Sequence, residues 1–325
     1  EVLAASDKSV GKRYQDVVSW QSERPIPSNI AEKLIHPCTP KFDTPIVFSA
    51  LDSSVALEIE QNFLQLGYHI ISNAKNHRNH IDVPIIIPEV NADHIALLTQ
   101  QKTKGKIITN PNCVVAGLSM AIKPLAQAFG LQKMQVHTLQ AISGAGYFNL
   151  SAYQILDNVI PYIAEEETKV ESEPKKILGS FLKTHIEPLN CTISAQCNRV
   201  AVRNGHMANI SVSFKQKPTL NQILECWEDF NCSSQNLKLP SIPKKPIVYF
   251  NEINFPQPRF HTDLEQGYSL AIGKLSLCTC LDVKFTLLVN NLVRGAAGCS
   301  ILNADILCLH TPHLQEQIAD LAFHN

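Results

Sequence analysis

Cys113 stands in the stretch ITNPNCVVAGLSMAIKPL, residues 108 to 125, between a short apolar run and an amphipathic pattern. Asn110, Pro111 and Asn112 separate the two, which puts Cys113 at or beside a helix N-terminus. Unpaired backbone N–H groups and the helix dipole favour a thiolate there and lower the thiol pKa, a setting suited to a nucleophile. Taken alone, a cysteine beside an apolar helix is more often a packing residue, so its role depends on what the chain brings near it. His206, at the start of the alternating segment HMANISVSFK, is either an acid/base group or a satisfied structural histidine. Arg199 lies seven residues earlier; an odd spacing along one strand sends two side chains to opposite faces, so a shared pocket requires a bend or bulge in RVAVRNGH. Glu173 and Lys176 share a face if their segment is helical. Gln140 precedes AISGAG at the end of a strand. Each charge by itself reads as solvated surface.

The elements that must position these groups follow from periodicity. PIVFSAL (45 to 51), YHIISNA (68 to 74), VPIIIPEVN (83 to 91) and KIITN (106 to 110) are short runs with β-branched residues on both faces, as in strands of a sheet covered by helices. Between them, Val55, Ile59, Phe63 and Leu66 recur on one helical face and Gly67 stops the pattern. After Cys113 a helix face recurs at Leu118, Ile122, Leu125 and Phe129. Strand, helix, strand in this order predicts a doubly wound α/β unit. From about residue 133 the pattern changes: Ile210, Val212 and Phe214 alternate with Ser211, Ser213 and Lys215, the mark of a sheet with one buried face. PTLNQILECWEDF (218 to 230) is a helix with Leu220, Ile223, Leu224 and Trp227 inward, and IVYF, SLAIGKLSLC and LDVKFTLLVN supply further strands. The expected division is 1–132, 133–290 and 291–325, the last a helix from VRGAAGCSILNADIL returning to the first unit.

At 325 residues and 45% hydrophobic composition the chain is long enough for two packed domains. A net charge of −1, from 28 basic and 29 acidic residues without long blocks, argues against nucleic-acid and membrane partners and for a small molecule. Ten cysteines without C-x-x-C pairs fit reduced thiols in a cytoplasmic protein and no metal site. No apolar run reaches the length of a membrane span.

The Asn-Pro-Asn-Cys segment resembles the catalytic loop of the aspartate-semialdehyde dehydrogenases, in which Asn-x-Asn-Cys carries the thiol. The likeness continues in order through SNAKNHR, DVPIIIPEVN, QAISGAGY, ILDNVIPYI, EEETKVESEPKKILG, CNRVAVRNGH and NNLVRGAAGCSILNA, and is nearest the archaeal and fungal branch. The resemblance implies a Rossmann-like NADP-binding domain followed by an α+β catalytic and dimerisation domain with a mixed sheet. It implies Cys113 as nucleophile, His206 as acid/base group and Gln140 as the residue orienting substrate beside the thiol. Arg199 then grips the substrate α-carboxylate, for which its planar fork is suited, Glu173 receives the ammonium, and Lys176 and Arg78 form a phosphate site. Ser6, Lys8 and Ser9 match the loop that holds the NADP 2′-phosphate. Asn291 matches a nicotinamide-side asparagine, and Ser143 and Gly144 the loop lining the cofactor beside the thiol. The implied reaction is NADPH-dependent reduction of L-4-aspartyl phosphate to aspartate semialdehyde with release of phosphate, in lysine, threonine and methionine biosynthesis, by a homodimer or homotetramer.

The chain opens EVLAASDKSVGKRY, on Glu, at what the resemblance makes the second strand of the nucleotide fold. The family's first strand, glycine-rich turn and helix, on the order of 30 residues, are expected to precede it. Phe148, Asn149, Ala201 and Met207 depart from the family pattern and bear on loop stiffness and pocket lining. Two readings compete with the enzyme: a non-catalytic remnant keeping the dimerising domain, and a Cys/His acyl-transfer hydrolase without cofactor.

Overall fold

The computed structural model describes residues 2–20, 25–146, 149–311 and 314. Phe148 and the chain's last residues therefore lie outside the described residues. In the N-terminal part, β1 (Leu3–Ala5) and β2 (Ile35–Pro37) form a parallel pair, and β3 (Ile46–Ser49), β4 (His69–Ser72) and β5 (Ile107–Thr109) form a separate parallel sheet. Helix Ser53–Leu66 covers one face of that sheet, with Phe63 and Leu64 against Ile70 and Ile107. The other face takes helix Gly298–His310, whose Leu302, Ile306 and Leu307 meet Ile86, Ile95 and Ile108. Ile107 and Ile108 thus go to opposite cores, as successive strand residues must, which is why both faces of these strands are apolar.

The run VPIIIPEVN does not form the expected strand. Val83, Ile85, Ile86 and Ile87 are buried, but only Ile85 bridges to Thr109, and Pro88–Asn91 is a helical turn. Pro84 and Pro88 cannot donate to a ladder, so apolarity there gives burial without extended pairing.

The second part adds β6 (Leu131–Gln140), β7 (Val159–Ile160), β8 (Ser180–Phe181), β9 (Ile186–Glu187), β10 (Thr192–Val200), β11 (His206–Phe214), β12 (Ile247–Phe250), β13 (Leu270–Leu277) and β14 (Val283–Val289). All but the β8–β9 hairpin belong to one mixed sheet in the order β12-β13-β14-β11-β6-β10-β7. One face carries the main core, where helices Cys113–Phe129, Glu166–Ile177 and Leu220–Ser234 pack through residues such as Leu118, Val170 and Trp227. On the opposite face Gln135, His137, Ser194, Gln196 and Asn209 are exposed. The helix that begins at Cys113 therefore lies on the large sheet while its preceding strand, β5, belongs to the small one. The thiol sits where the two sheets' elements meet.

Candidate active site

Asn112 starts the Cys113 helix: its Oδ1 accepts from the N–H groups of Val114 at 3.0 Å and Val115 at 3.3 Å, an N-cap that satisfies donors the helix leaves unpaired. Cys113 is the first helical residue. A β-carbon on Gly295 would lie 2.6 Å from Cys113 Cβ, so the backbone of the 293–297 turn presses directly on the cysteine and only glycine fits there.

Three of the expected residues form a row across adjacent strands. Arg199 on β10 pairs in register with Gln140 at the end of β6. On the other side of β6, Met207 of β11 pairs with Leu139, which sets His206 beside the same strand end. Arg199 and His206 thus occupy two strands flanking a third and need no bulge along one strand; the turn 201–205 separates them. All three side chains are buried.

The His206 ring has a defined tautomer. The Ala141 N–H donates to Nδ1 at 3.1 Å, so the neutral ring carries its hydrogen on Nε2. Nε2 is buried and without a hydrogen-bond partner among the described residues. Burial, seconded by the Arg199 charge, pushes the pKa down to about 3, so the ring is neutral at physiological pH and offers an N–H. Arg199 Nη1 donates to the Ala141 carbonyl at 2.7 Å. Gly144 is the close neighbour of both: a β-carbon there would stand 2.9 Å from Arg199 Nη1 and from His206 Nε2. Asn291 joins the flanking loops, accepting from Gly205 N–H at 2.9 Å and donating to Ser143 Oγ at 2.9 Å.

The carboxylates divide the remaining work in a way the spacing does not reveal. Both Glu173 oxygens are hydrogen-bonded: Oε1 accepts from Arg78 Nη1 at 2.8 Å and Oε2 from the Asn112 N–H at 2.6 Å. Lys176 gives its ammonium hydrogens to the carbonyls of Arg78, His80 and Val83 at 2.7–2.8 Å, and burial pushes its pKa down to about 8. Glu166, which the sequence analysis did not single out, is the carboxylate between the thiol and the sheet. Its Oε1 accepts from Asn112 Nδ2 and Gln140 Nε2, both at 2.9 Å. Lys169 Nζ lies 3.5 Å from its Oε2 and keeps partial exposure. The signal for this pair was present. The spacing Glu-x-x-Lys occurs at 166/169 and again at 173/176, seven residues on, so both copies fall on one helix face and only the packing distinguishes them.

The thiol departs from the sequence expectation. Burial first and the Glu166 charge second push Cys113 up to about 12, against Arg78, the Val114 N–H and Arg199, which pull it down. The helix terminus acts in the expected direction but desolvation outweighs it, so this arrangement holds a protonated thiol. Ser6, Lys8 and Ser9 lie on the turn after β1, with Ser6 and Lys8 exposed. A cation and two hydroxyls at a parallel strand end suit a phosphate. The described residues contain no cluster that could hold a metal ion and no helix long and apolar enough to cross a membrane.

A cysteine capped into a helix start, faced by arginines, a carboxylate and a neutral imidazole, is a site for covalent acyl chemistry on a charged substrate. Comparison with known proteins agrees. The family profile described as semialdehyde dehydrogenase, NAD binding domain, matches residues 1–98, and the one described as semialdehyde dehydrogenase, dimerisation domain, matches residues 122–294. The aspartate-semialdehyde dehydrogenase of Saccharomyces cerevisiae is 40% identical over 94% of this chain and 90% of its own, and that of Archaeoglobus fulgidus 41% identical over 94% and 89%. The crystal structure of the Candida albicans enzyme with NADP superposes with a TM-score of 0.86 at 36% identity, covering 94% of this chain and 90% of that one. Aspartate semialdehyde dehydrogenase II of Vibrio cholerae, at 22% identity and a TM-score of 0.75, shares the fold. At this identity and coverage, the chain belongs to the aspartate-semialdehyde dehydrogenase family.

Proposed function

We propose that the protein reduces L-4-aspartyl phosphate to L-aspartate 4-semialdehyde with NADPH, through a thioester on Cys113. The observation that carries this reading is the meeting of Cys113, Gln140 and Arg199 at Glu166, with His206 beside Arg199, at one end of the large sheet. Arg199, whose guanidinium lies beside His206, takes the α-carboxylate. Glu166 joins Glu173 as a group for the ammonium: its Oε2 faces Lys169 at 3.5 Å, while each oxygen of Glu173 accepts a hydrogen bond, from Arg78 and from Asn112. Arg78 is the first cation for the phosphate, and Lys169, partly exposed beside Glu166, is a freer second one than Lys176, whose ammonium donates to three carbonyls.

A substrate ammonium at Glu166 cancels the negative charge that helps hold the thiol up, so binding and activation are coupled. Cys113 sulfur then attacks the acyl carbon, the C–O bond to phosphate breaks, and the thiol proton leaves with the phosphate. NADPH, when bound, supplies the hydride that converts the thioester carbonyl to a hemithioacetal. His206 Nε2–H donates a hydrogen bond to the oxygen on which charge gathers, as a neutral electrophile in a buried position. Breaking the C–S bond frees the aldehyde and, with a proton from solvent, the thiol. The residues fit the cofactor: the Ser6–Ser9 turn offers charge for a 2′-phosphate, and Gly144, tied in beside Ser143 and Asn291, leaves room next to His206 that a β-carbon would fill.

The same reading assigns 1–132 to cofactor binding, 133–290 to catalysis and dimerisation, and 291–325 to the return onto the first unit. A homodimer or homotetramer is supported by the polar, uncovered sheet face at Gln135, His137 and Asn209. Cytoplasmic placement is supported by ten cysteines, none in a disulfide. Phosphate-dependent formation of NADPH from aspartate semialdehyde and NADP tests the function. It should vanish in Cys113→Ala, whereas turnover without phosphate or cofactor would favour the hydrolase and no turnover by folded full-length protein the remnant.

A further inference from the structure

Helix Ser53–Leu66 carries one acidic residue on its buried side: Glu60, 1% exposed. A carboxylate removed from water must be paired or hydrogen-bonded to persist. Oε1 accepts from Ser72 Oγ at 2.6 Å, and Oε2 lies 3.1 Å from Nε2 of His77, itself 2% exposed; the two atoms are close but not aligned for a hydrogen bond, and neither has another partner among the described residues. Ser72 is the last residue of β4, and His77 immediately precedes Arg78. One carboxylate is therefore hydrogen-bonded to the residue before the 73–76 loop and lies against the imidazole of the residue after it.

The loop has little freedom left. Ala74 N–H donates to Ser72 Oγ at 3.2 Å, Asn76 Nδ2 to the Ser53 carbonyl at 2.9 Å and Arg78 N–H to the Lys75 carbonyl at 3.1 Å. Arg78 then folds back, its Nη2 donating to the Asn73 carbonyl at 2.9 Å while Nη1 meets Glu173. The guanidinium is thus aimed by the backbone of the loop that Glu60 anchors.

We infer that Glu60 is a positioning residue for anion binding: through Ser72 and His77 it fixes the loop whose Asn73 carbonyl and Arg78 backbone orient the Arg78 guanidinium toward the substrate phosphate. It touches no reacting atom. The inference rests on the reading of Arg78 as a phosphate ligand. If Glu60 served only the packing of the helix, its loss would lower stability and leave the balance between substrates unchanged.

The test is steady-state kinetics of phosphate-dependent semialdehyde oxidation by the full-length protein. Glu60→Gln keeps the volume and an acceptor for Ser72 but removes the charge opposite His77. The expected result is a phosphate KM raised about tenfold, equivalent to ~1.4 kcal/mol, with kcat and the semialdehyde KM within about twofold. The double variant Glu60→Gln/His77→Gln should be no worse than the more damaging single one, because both act through one contact. An unchanged phosphate KM, or equal rises in both KM values, overturns the inference. Should Glu60→Gln not fold, Ser72→Ala removes one tie only and should still raise the phosphate KM about threefold; no change there is equally decisive. Arg78→Lys, run in parallel, separates the two levels. If it spares the phosphate KM, the reading of Arg78 fails and takes the inference with it. If it raises that KM while Glu60→Gln does not, only the role of Glu60 falls.

Discussion

Replacing His206 by glutamine should make the protein less sensitive to acid. In the folded state burial and Arg199 hold the His206 pKa near 3, against an ordinary value of 6.5. Between these limits the unfolded chain binds the proton and the folded chain does not, so stability falls as pH drops through 6.5. Between pH 7.5 and pH 5 that linkage amounts to about 1.5 pH units, or roughly 2 kcal/mol. Glutamine does not titrate and lacks this contribution. Urea unfolding at fixed protein concentration, followed by the fluorescence of buried Trp227, measures the difference. Wild type should lose about 2 kcal/mol more than His206→Gln over that interval. Equal losses would mean that the ring is hydrated or already charged in the native protein. The neutral Nε2–H donor would then have to be abandoned.

Gly295→Ala would place a methyl carbon 2.6 Å from Cys113 Cβ, and overpacking of this kind costs about 1–3 kcal/mol. The thiol should shift and kcat fall on the order of 100-fold; a variant with wild-type kcat would show that the turn yields instead. Lys176→Met removes the side-chain donor from three carbonyls and should lower stability by about 1–3 kcal/mol in urea unfolding, whereas an unchanged midpoint would return Lys176 to the role of a free phosphate ligand. Glu166→Gln removes a charge that raises the Cys113 pKa. Its alkylation by iodoacetamide at pH 8 should be several-fold faster, with a higher KM for the semialdehyde; slower alkylation would contradict the placement of the carboxylate beside the thiol.

Local sequence determined the elements whose periodicity is complete within themselves. The helices Ser53–Leu66, Cys113–Phe129 and Leu220–Ser234 and the alternation of β11 follow from side-chain spacing and caps. So does Cys113 at a helix start, because Asn112 and the strand before it are its chain neighbours. VPIIIPEVN reads as a strand by periodicity because burial and apolarity are shared by strands and packed turns, and its prolines decide between them. Tertiary structure alone brought Arg199, Gln140 and His206 into one row, since strand register is set between segments far apart in sequence. It also gave two Glu-x-x-Lys pairs that any helical wheel superposes different partners: Glu173 bonds Arg78 and the Asn112 N–H, and Lys176 bonds loop carbonyls, whereas Glu166 bonds the Asn112 and Gln140 side chains with Lys169 3.5 Å away. The charge state of Cys113 was decided at the same level. A helix terminus is a local feature, but the desolvation that overrides it comes from everything packed around the sulfur.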